Sequence, residues 1–278
     1  MQKFTEETKM DNEYFDIANN LMKFIEKSPS AFHVVDNFSK NLDDAGFIKL
    51  NEKDKWKLFS GNKYYVTRNG SSIIAFCMPE ELDFSNFQIA AAHSDAPAFK
   101  IKENPEIIKD NNYVSLNVEK YGGMLMAPWF DRPLSIAGRL VVSEGSRLVS
   151  KLVNVDRDLV MIPNLAIHMN REVNNGVAYN PQVDMLPLLT MIKDTLDKDH
   201  YFINLLAREA GCDPEAILDY EIYVYNLDDS TTLGIENEFF SSPRLDNLTS
   251  VQACLSGIRA GFRENGINAI FLYDNEEI

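Results

Sequence analysis

At 278 residues the chain is long enough for one large α/β domain or two smaller ones. An apolar content of 45% is that of a packed globular protein and excludes a disordered one. Its 42 acidic residues outnumber 27 basic ones for a net charge of −15, which argues against a nucleic-acid partner, since that requires a basic surface.

The opening Met1-Gln2-Lys3-Phe4-Thr5-Glu6-Glu7 has no apolar signal-peptide core, and no apolar run approaches the ~20 residues of a membrane span, so no membrane partner is expected. Asp11 to Glu26 predicts an amphipathic helix, with Tyr14, Ile17, Ala18, Leu21, Phe24 and Ile25 on one face. Ser28 then reads as a cap and Pro29 as a first helical residue. The second helix runs to about Ala45, buries Phe32, Val35, Phe38 and Leu42, and stops at Gly46. Lys63–Thr67 and Ser72–Phe76 flank Arg68-Asn69-Gly70, a hairpin signal. Phe87–Ala92 predicts a short buried strand that releases His93-Ser94-Asp95 at its end. Cys77, Cys212 and Cys254 are odd in number, widely spaced and set among apolar neighbours, so they read as buried free thiols. Reduced thiols fit a cytoplasmic protein.

From about Lys100 to Gly234 short strand-like runs (Val114–Val118, Leu134–Val142, Glu221–Asn226) alternate with Gly- and Pro-punctuated turns. Helical stretches are expected near Met185–Thr195 and His200–Ala210, the second capped by Asp199 and stopped by Gly211. This texture predicts three segments: a first domain over 1–99, an insert over 100–234, and the first domain resumed over 235–278. After the insert, Leu248, Val251, Leu255 and Ile258 stripe a helix, and Asn268–Tyr273 returns as a strand. A helix followed by a strand fits an α/β sheet flanked by helices.

Three stretches carry possible chemistry. A His-x-Asp leaving a strand can supply a metal ligand, His93, and the carboxylate that orients it, Asp95. By itself it is an ordinary hydrogen-bonded pair. Asp246 is by itself a helix cap. Glu276 and Glu277 follow a buried strand, and adjacent residues of extended chain point to opposite sides. One can face a metal while the other acts as a base, or both can be a solvated acidic end. Taken together they form a donor set for a pair of zinc ions: Asp246 shared between the ions, His93 and Glu277 terminal, and Glu276 the base.

The chain resembles the aspartyl-aminopeptidase-like family of dinuclear zinc aminopeptidases. The resemblance rests on Ala91-Ala92-His93-Ser94-Asp95-Ala96-Pro97, Tyr121-Gly122-Gly123, Trp129-Phe130-Asp131-Arg132-Pro133-Leu134, Ile167-His168-Met169-Asn170-Arg171, Ser242-Pro243-Arg244-Leu245-Asp246-Asn247 and Asp274-Asn275-Glu276-Glu277-Ile278. It implies a zinc-peptidase mixed sheet interrupted by a mostly β dimerisation domain. It implies two zinc ions per complete subunit, held by His93, Asp246 and Glu277, with Asp95 supporting His93. The activity implied is removal of the N-terminal residue from peptides with a free amine, by a hydroxide held between the metals, with Glu276 as base. His168 is implied to reach a neighbouring subunit's site within a homo-oligomer built from dimers. Two departures stand out: Asn275 occupies a position often held by His, and similar proteins continue past the Glu-Glu pair, supplying a further Asp and His. The 278-residue chain by itself is therefore expected to bind zinc weakly and turn over little. A related dinuclear amidohydrolase and a non-catalytic assembly subunit are the alternatives.

Overall fold

The computed structural model describes residues 2–81, 84–192, 200–261 and 263–278, with side chains from residue 13 onward. In chain order the elements are α1 (Gln2–Glu26), α2 (Ala31–Asp44), β1 (Ile48–Leu50), β2 (Lys63–Arg68), β3 (Ser72–Cys77), β4 (Phe87–His93), β5 (Ala98–Lys109), β6 (Tyr113–Tyr121), β7 (Leu134–Glu144), β8 (Arg147–Asn154), β9 (Leu188–Met191), α3 (Tyr201–Ala210), β10 (Ile217–Asn226), β11 (Thr231–Leu233), β12 (Phe239–Ser241), α4 (Leu245–Ala260) and β13 (Ile267–Tyr273). The fold is mixed α/β, and among the described residues no helix is long and apolar enough to cross a membrane. Contacts divide the chain into two compact units, residues 1–96 with 228–276, and residues 97–227 with 277–278.

The first unit is a five-stranded sheet in the order β1-β2-β3-β13-β4. β13 runs antiparallel to β3 and parallel to β4. Helices α2 and α4 cover one face: Val34, Phe38, Leu42, Leu248, Val251 and Leu255 pack on Tyr65, Ile73, Ala75, Ile270 and Leu272. The opposite face has a smaller cluster of Tyr64, Met78, Ile267 and Ala269, joined by Leu50, Leu58, Phe76 and Phe271. Among the described residues, no helix residue belongs to that cluster.

Local chemistry explains where these elements start and stop. The expected burial of Phe32, Val35, Phe38 and Leu42 on α2 is present. Its end is a Schellman motif: Phe47 donates to the Leu42 carbonyl and Gly46 to that of Asp43, and Gly46 takes φ +77. Its start lies two residues later than expected. Ser30, not Ser28, is the N-cap, because its extended backbone (φ −142, ψ 164) precedes Ala31. Its hydroxyl bonds the His33 Nδ1 at 2.8 Å instead of a helix N–H. In the hairpin, Asn69 and Gly70 both take positive φ, as a right-twisted two-strand connection demands.

Three other expectations change. α1 begins at Gln2 rather than Asp11, and while Leu21, Phe24 and Ile25 are buried, Tyr14 and Ile17 are exposed. β4 is not a buried strand but the edge of the sheet, with residues 87–91 exposed. Cys77 and Cys254 are buried free thiols, pushed up in pKa chiefly by burial, whereas Cys212 is only half-buried.

The second unit is a six-stranded antiparallel sheet, β8-β7-β10-β5-β6-β9, packed with α3. Phe99, Leu134, Ile136, Leu140, Phe202, Leu206, Ile222 and Val224 fill its core. The expected helix near Met185–Thr195 is not formed over its described part. Leu188–Met191 is instead β9, paired with Tyr113–Ser115 of β6. Pro187 supplies no N–H to a helix ladder there but leaves its carbonyl for Leu116 N–H, at 2.7 Å. Residues 193–195 and the expected cap Asp199 lie outside the described residues. Gly211 ends α3 in the left-handed region (φ 61, ψ 48), as expected.

His33 gives the first unit an acid-labile point. Burial pulls its pKa down from 6.5 to about 4; Asp36 pulls it back up, and Lys40 and Arg244 add to the drop. The unfolded chain takes up this proton near pH 6.5 and the folded chain only near 4. The contribution is therefore complete above 6.5 and is lost as pH falls towards 4, on the order of 3 kcal/mol. We expect the urea midpoint to drop between pH 7 and pH 4, and His33→Gln to flatten that drop. An identical pH profile in the variant would remove His33 from the effect.

Candidate metal centre

The centre is built where β4 and β13 end. Their parallel register sets Tyr273 opposite His93, so both strands release their chains at the same level. Open α/β sheets place their chemistry at such carboxyl ends. Serines clamp this edge. Ser94 N–H donates to the Tyr273 carbonyl at 2.7 Å. The Ser94 hydroxyl, on a residue 2% exposed, is shared between the Ser71 carbonyl at 2.6 Å and the Tyr273 carbonyl at 3.1 Å. Asp274 N–H donates to the Ser72 hydroxyl at 3.1 Å. The hairpin end thus fixes the first residues beyond both strands.

His93 sits at the middle of a carboxylate cluster. Its Nδ1 lies 3.2 Å from Asp95 Oδ1 and 3.1 Å from the Asp95 carbonyl. Its Nε2 lies 3.2 Å from Asp246 Oδ1 and 3.7 Å from Glu276 Oε2. His93 and Asp95 are buried, while the Asp246 and Glu276 side chains are 84% and 61% exposed. Asn275 takes φ 64, a left-handed bend that Asn tolerates, and Glu276 N–H then approaches Asp95 Oδ1 at 3.4 Å. Asp246 does not cap α4. The N-cap is Arg244, and Asp246 itself is non-helical (φ −83, ψ 113), with its carboxylate at His93.

Proton arithmetic gives this cluster its meaning. A neutral imidazole has one N–H. If Nδ1–H donates to Asp95, the Nε2 lone pair faces Asp246 and Glu276 oxygens with no proton between them. A cation on that side would accept the Nε2 lone pair and the carboxylate oxygens together. The donor set is imidazole nitrogen and carboxylate oxygen, which suits zinc. Glu277, the next residue in the chain after Glu276, is grouped with the second unit. His168 is placed differently: it belongs to the second unit, in the exposed turn after Ala166. The serine clamp of Ser71, Ser72 and Ser94 was not singled out from sequence. Its only signal is Ser71-Ser72 directly after the hairpin turn.

The model of the aminopeptidase I zinc metalloprotease (M18) family matches residues 24–278. The chain is 44% identical over 272 residues to a probable M18 family aminopeptidase 2 of Clostridium acetobutylicum, covering 97% of this chain and 63% of that protein. Among solved structures it resembles the chain in the Ape4 and Nbr1 complex (TM-score 0.87, 32% identity, 94% of this chain and 55% of that one). It also resembles the S. cerevesiae mApe1 dodecamer (TM-score 0.77, 26% identity, 96% and 62%). The chain belongs to the M18 family. It spans less than two thirds of the length of the curated relatives it matches.

Ser94→Ala removes the buried hydroxyl that ties β4 to the hairpin and leaves the Ser71 carbonyl without it. We expect a loss of about 1–3 kcal/mol in denaturant-measured stability. A stability unchanged within error would show that the clamp carries no weight.

Proposed function

We propose that the protein is a zinc aminopeptidase that removes the N-terminal residue of peptides bearing a free amine. The observation that carries this reading is His93, whose two ring nitrogens each face a carboxylate. In this reading Asp95 fixes the imidazole through Nδ1 and keeps Nε2 available. His93, Asp246 and Glu277 would hold the metal. Zinc supplies the Lewis acidity that activates water and polarises the scissile carbonyl. Glu276 is the general base: its carboxylate stands beside the centre, takes a proton from the attacking water and returns it to the leaving amine. His168, from a neighbouring copy, aids the developing oxyanion. The dodecameric assembly named for a structural neighbour supports a homo-oligomer, and the cytoplasm is its proposed location. The relatives are themselves described as aminopeptidases, which favours this reading over an amidohydrolase or a non-catalytic assembly subunit.

The test compares a free-amine peptide with its N-acetylated form. We expect zinc-dependent release of the first residue from the former only, slow for this chain by itself, lost with a chelator and restored by zinc. Cleavage of the blocked peptide would instead indicate an amidohydrolase. Glu276→Gln should keep zinc and lose turnover by about a thousandfold or more. Near-normal turnover would exclude Glu276 as the base. Asp95→Asn should weaken zinc binding by about 10–100-fold in calorimetric titration. Wild-type affinity in that variant would leave Asp95 no role in orienting His93.

A further inference from the structure

The Asp246 side chain is 84% exposed, so packing does not hold its carboxylate in front of His93. Its position comes from the backbone that carries it. That backbone is the turn 244–248, closed at its base: Leu248 N–H donates to the Arg244 carbonyl at 3.3 Å, and Asp246 is the middle residue. Neither Asp246 (φ −83, ψ 113) nor Asn247 (φ −118, ψ 26) is helical, so the α4 ladder does not fix them. One leg of the turn is secured by burial. Leu248 is 1% exposed in the cluster that includes Leu21, Phe24 and Ile25 of α1. The other leg is Arg244, and burial does not account for its backbone. Arg244 takes φ 55, ψ 32, the left-handed region that glycine enters freely and a residue with a Cβ enters at a cost. Such a conformation persists where its surroundings over-determine it.

The Arg244 side chain meets that need. Its Nη2 donates to the Ile25 carbonyl at 3.1 Å, an acceptor shared with Ser28 N–H at 3.0 Å. Ile25 is fully buried and next to last in α1, where carbonyls run out of helix N–H groups and the helix dipole attracts a cation. The guanidinium also stands near enough to His33 of α2 to help hold that imidazole's pKa down. It is therefore lodged where α4 meets α1 and α2. We propose that Arg244 is the positioning residue for Asp246: its guanidinium, bound to the end of α1, holds the left-handed turn that aims the Asp246 carboxylate at His93. The consequence for metal binding rests on the reading of Asp246 as a zinc ligand; the placement of the carboxylate does not. Arg244 acts through the backbone, and α1 becomes part of the support of a centre it does not touch.

The test uses three variants of the chain, each first without metal. Arg244→Gly removes the guanidinium and relieves the left-handed backbone, so it guards against a mere failure to fold. Arg244→Met removes the guanidinium and keeps the bulk. Arg244→Lys keeps a cation that can donate to the Ile25 carbonyl. We expect crystal structures of the Gly and Met variants to retain the sheet and the Ser94 clamp but to lose the 3.2 Å approach of Asp246 Oδ1 to His93 Nε2. The Lys variant should keep that approach. Calorimetric titration should show zinc bound about tenfold more weakly by the Gly and Met variants, and near the wild-type affinity by the Lys variant. Asp246 still at His93 in both the Gly and the Met variant would overturn the proposal. So would a lowered urea midpoint with the approach intact, which is what a purely structural role predicts. If the unaltered chain binds no zinc, the zinc reading fails, and the metal-free structures still decide the role of Arg244.

Discussion

The parallel pairing of β13 with β4 is the constraint on which the candidate centre depends. The two strands come from positions 179 residues apart at Ser94 and Tyr273, yet the register is unbroken from Ile267↔Phe87 to Tyr273↔His93. A slip of one residue would turn every side chain of β13 to the other face. It would put Ile270 and Leu272 on the uncovered side and carry Glu276 away from His93. Burial of those two residues against α4 therefore protects the chemistry as well as the core.

Around that register the first unit separates rigid from open parts. His93 and Asp95 are buried and clamped through Ser94 to the hairpin end, so the imidazole is held from behind. Asp246 and Glu276 are exposed at its front. A buried orienting carboxylate and exposed facing carboxylates divide the tasks of holding a ring and meeting a ligand. The same division explains the choice of residues. Asp95 has a short side chain that reaches back two residues, while Glu276 has the longer reach needed to approach across the opening.

Local signals carried most of the fold. The α2 stripe, the Gly46 stop and the Asn69-Gly70 turn are short-range features, and the structure contains each of them. The residues of the centre were also legible, because His-x-Asp and paired acids sit at strand ends that hydrophobic runs define. What the sequence hid was environment. Phe87–Ala92 reads as interior whether or not a neighbour is present, since composition records what a strand prefers and not what lies beside it. The helix expected near Met185–Thr195 failed for a related reason: a short apolar segment has no period long enough to separate helix from strand, and pairing of Leu188–Met191 with β6 decided its described part. Ser28 and Ser30 are equally good caps on paper, and the backbone angles of the turn chose between them.

The pairing of β5 with β10 has a kinetic meaning. Phe99 and Lys100 lie opposite Val224 and Tyr223, so the second unit begins and finishes on adjacent antiparallel strands. Once those strands pair, the chain leaving the unit is only about 5 Å from the chain entering it. For β4 and β13, the long intervening stretch then behaves as a short tether. Each halving of an effective loop spares ~0.6 kcal/mol of closure entropy, and this staple provides several halvings at once. If the second unit closes first, the pairing of β4 with β13 becomes a nearly local event.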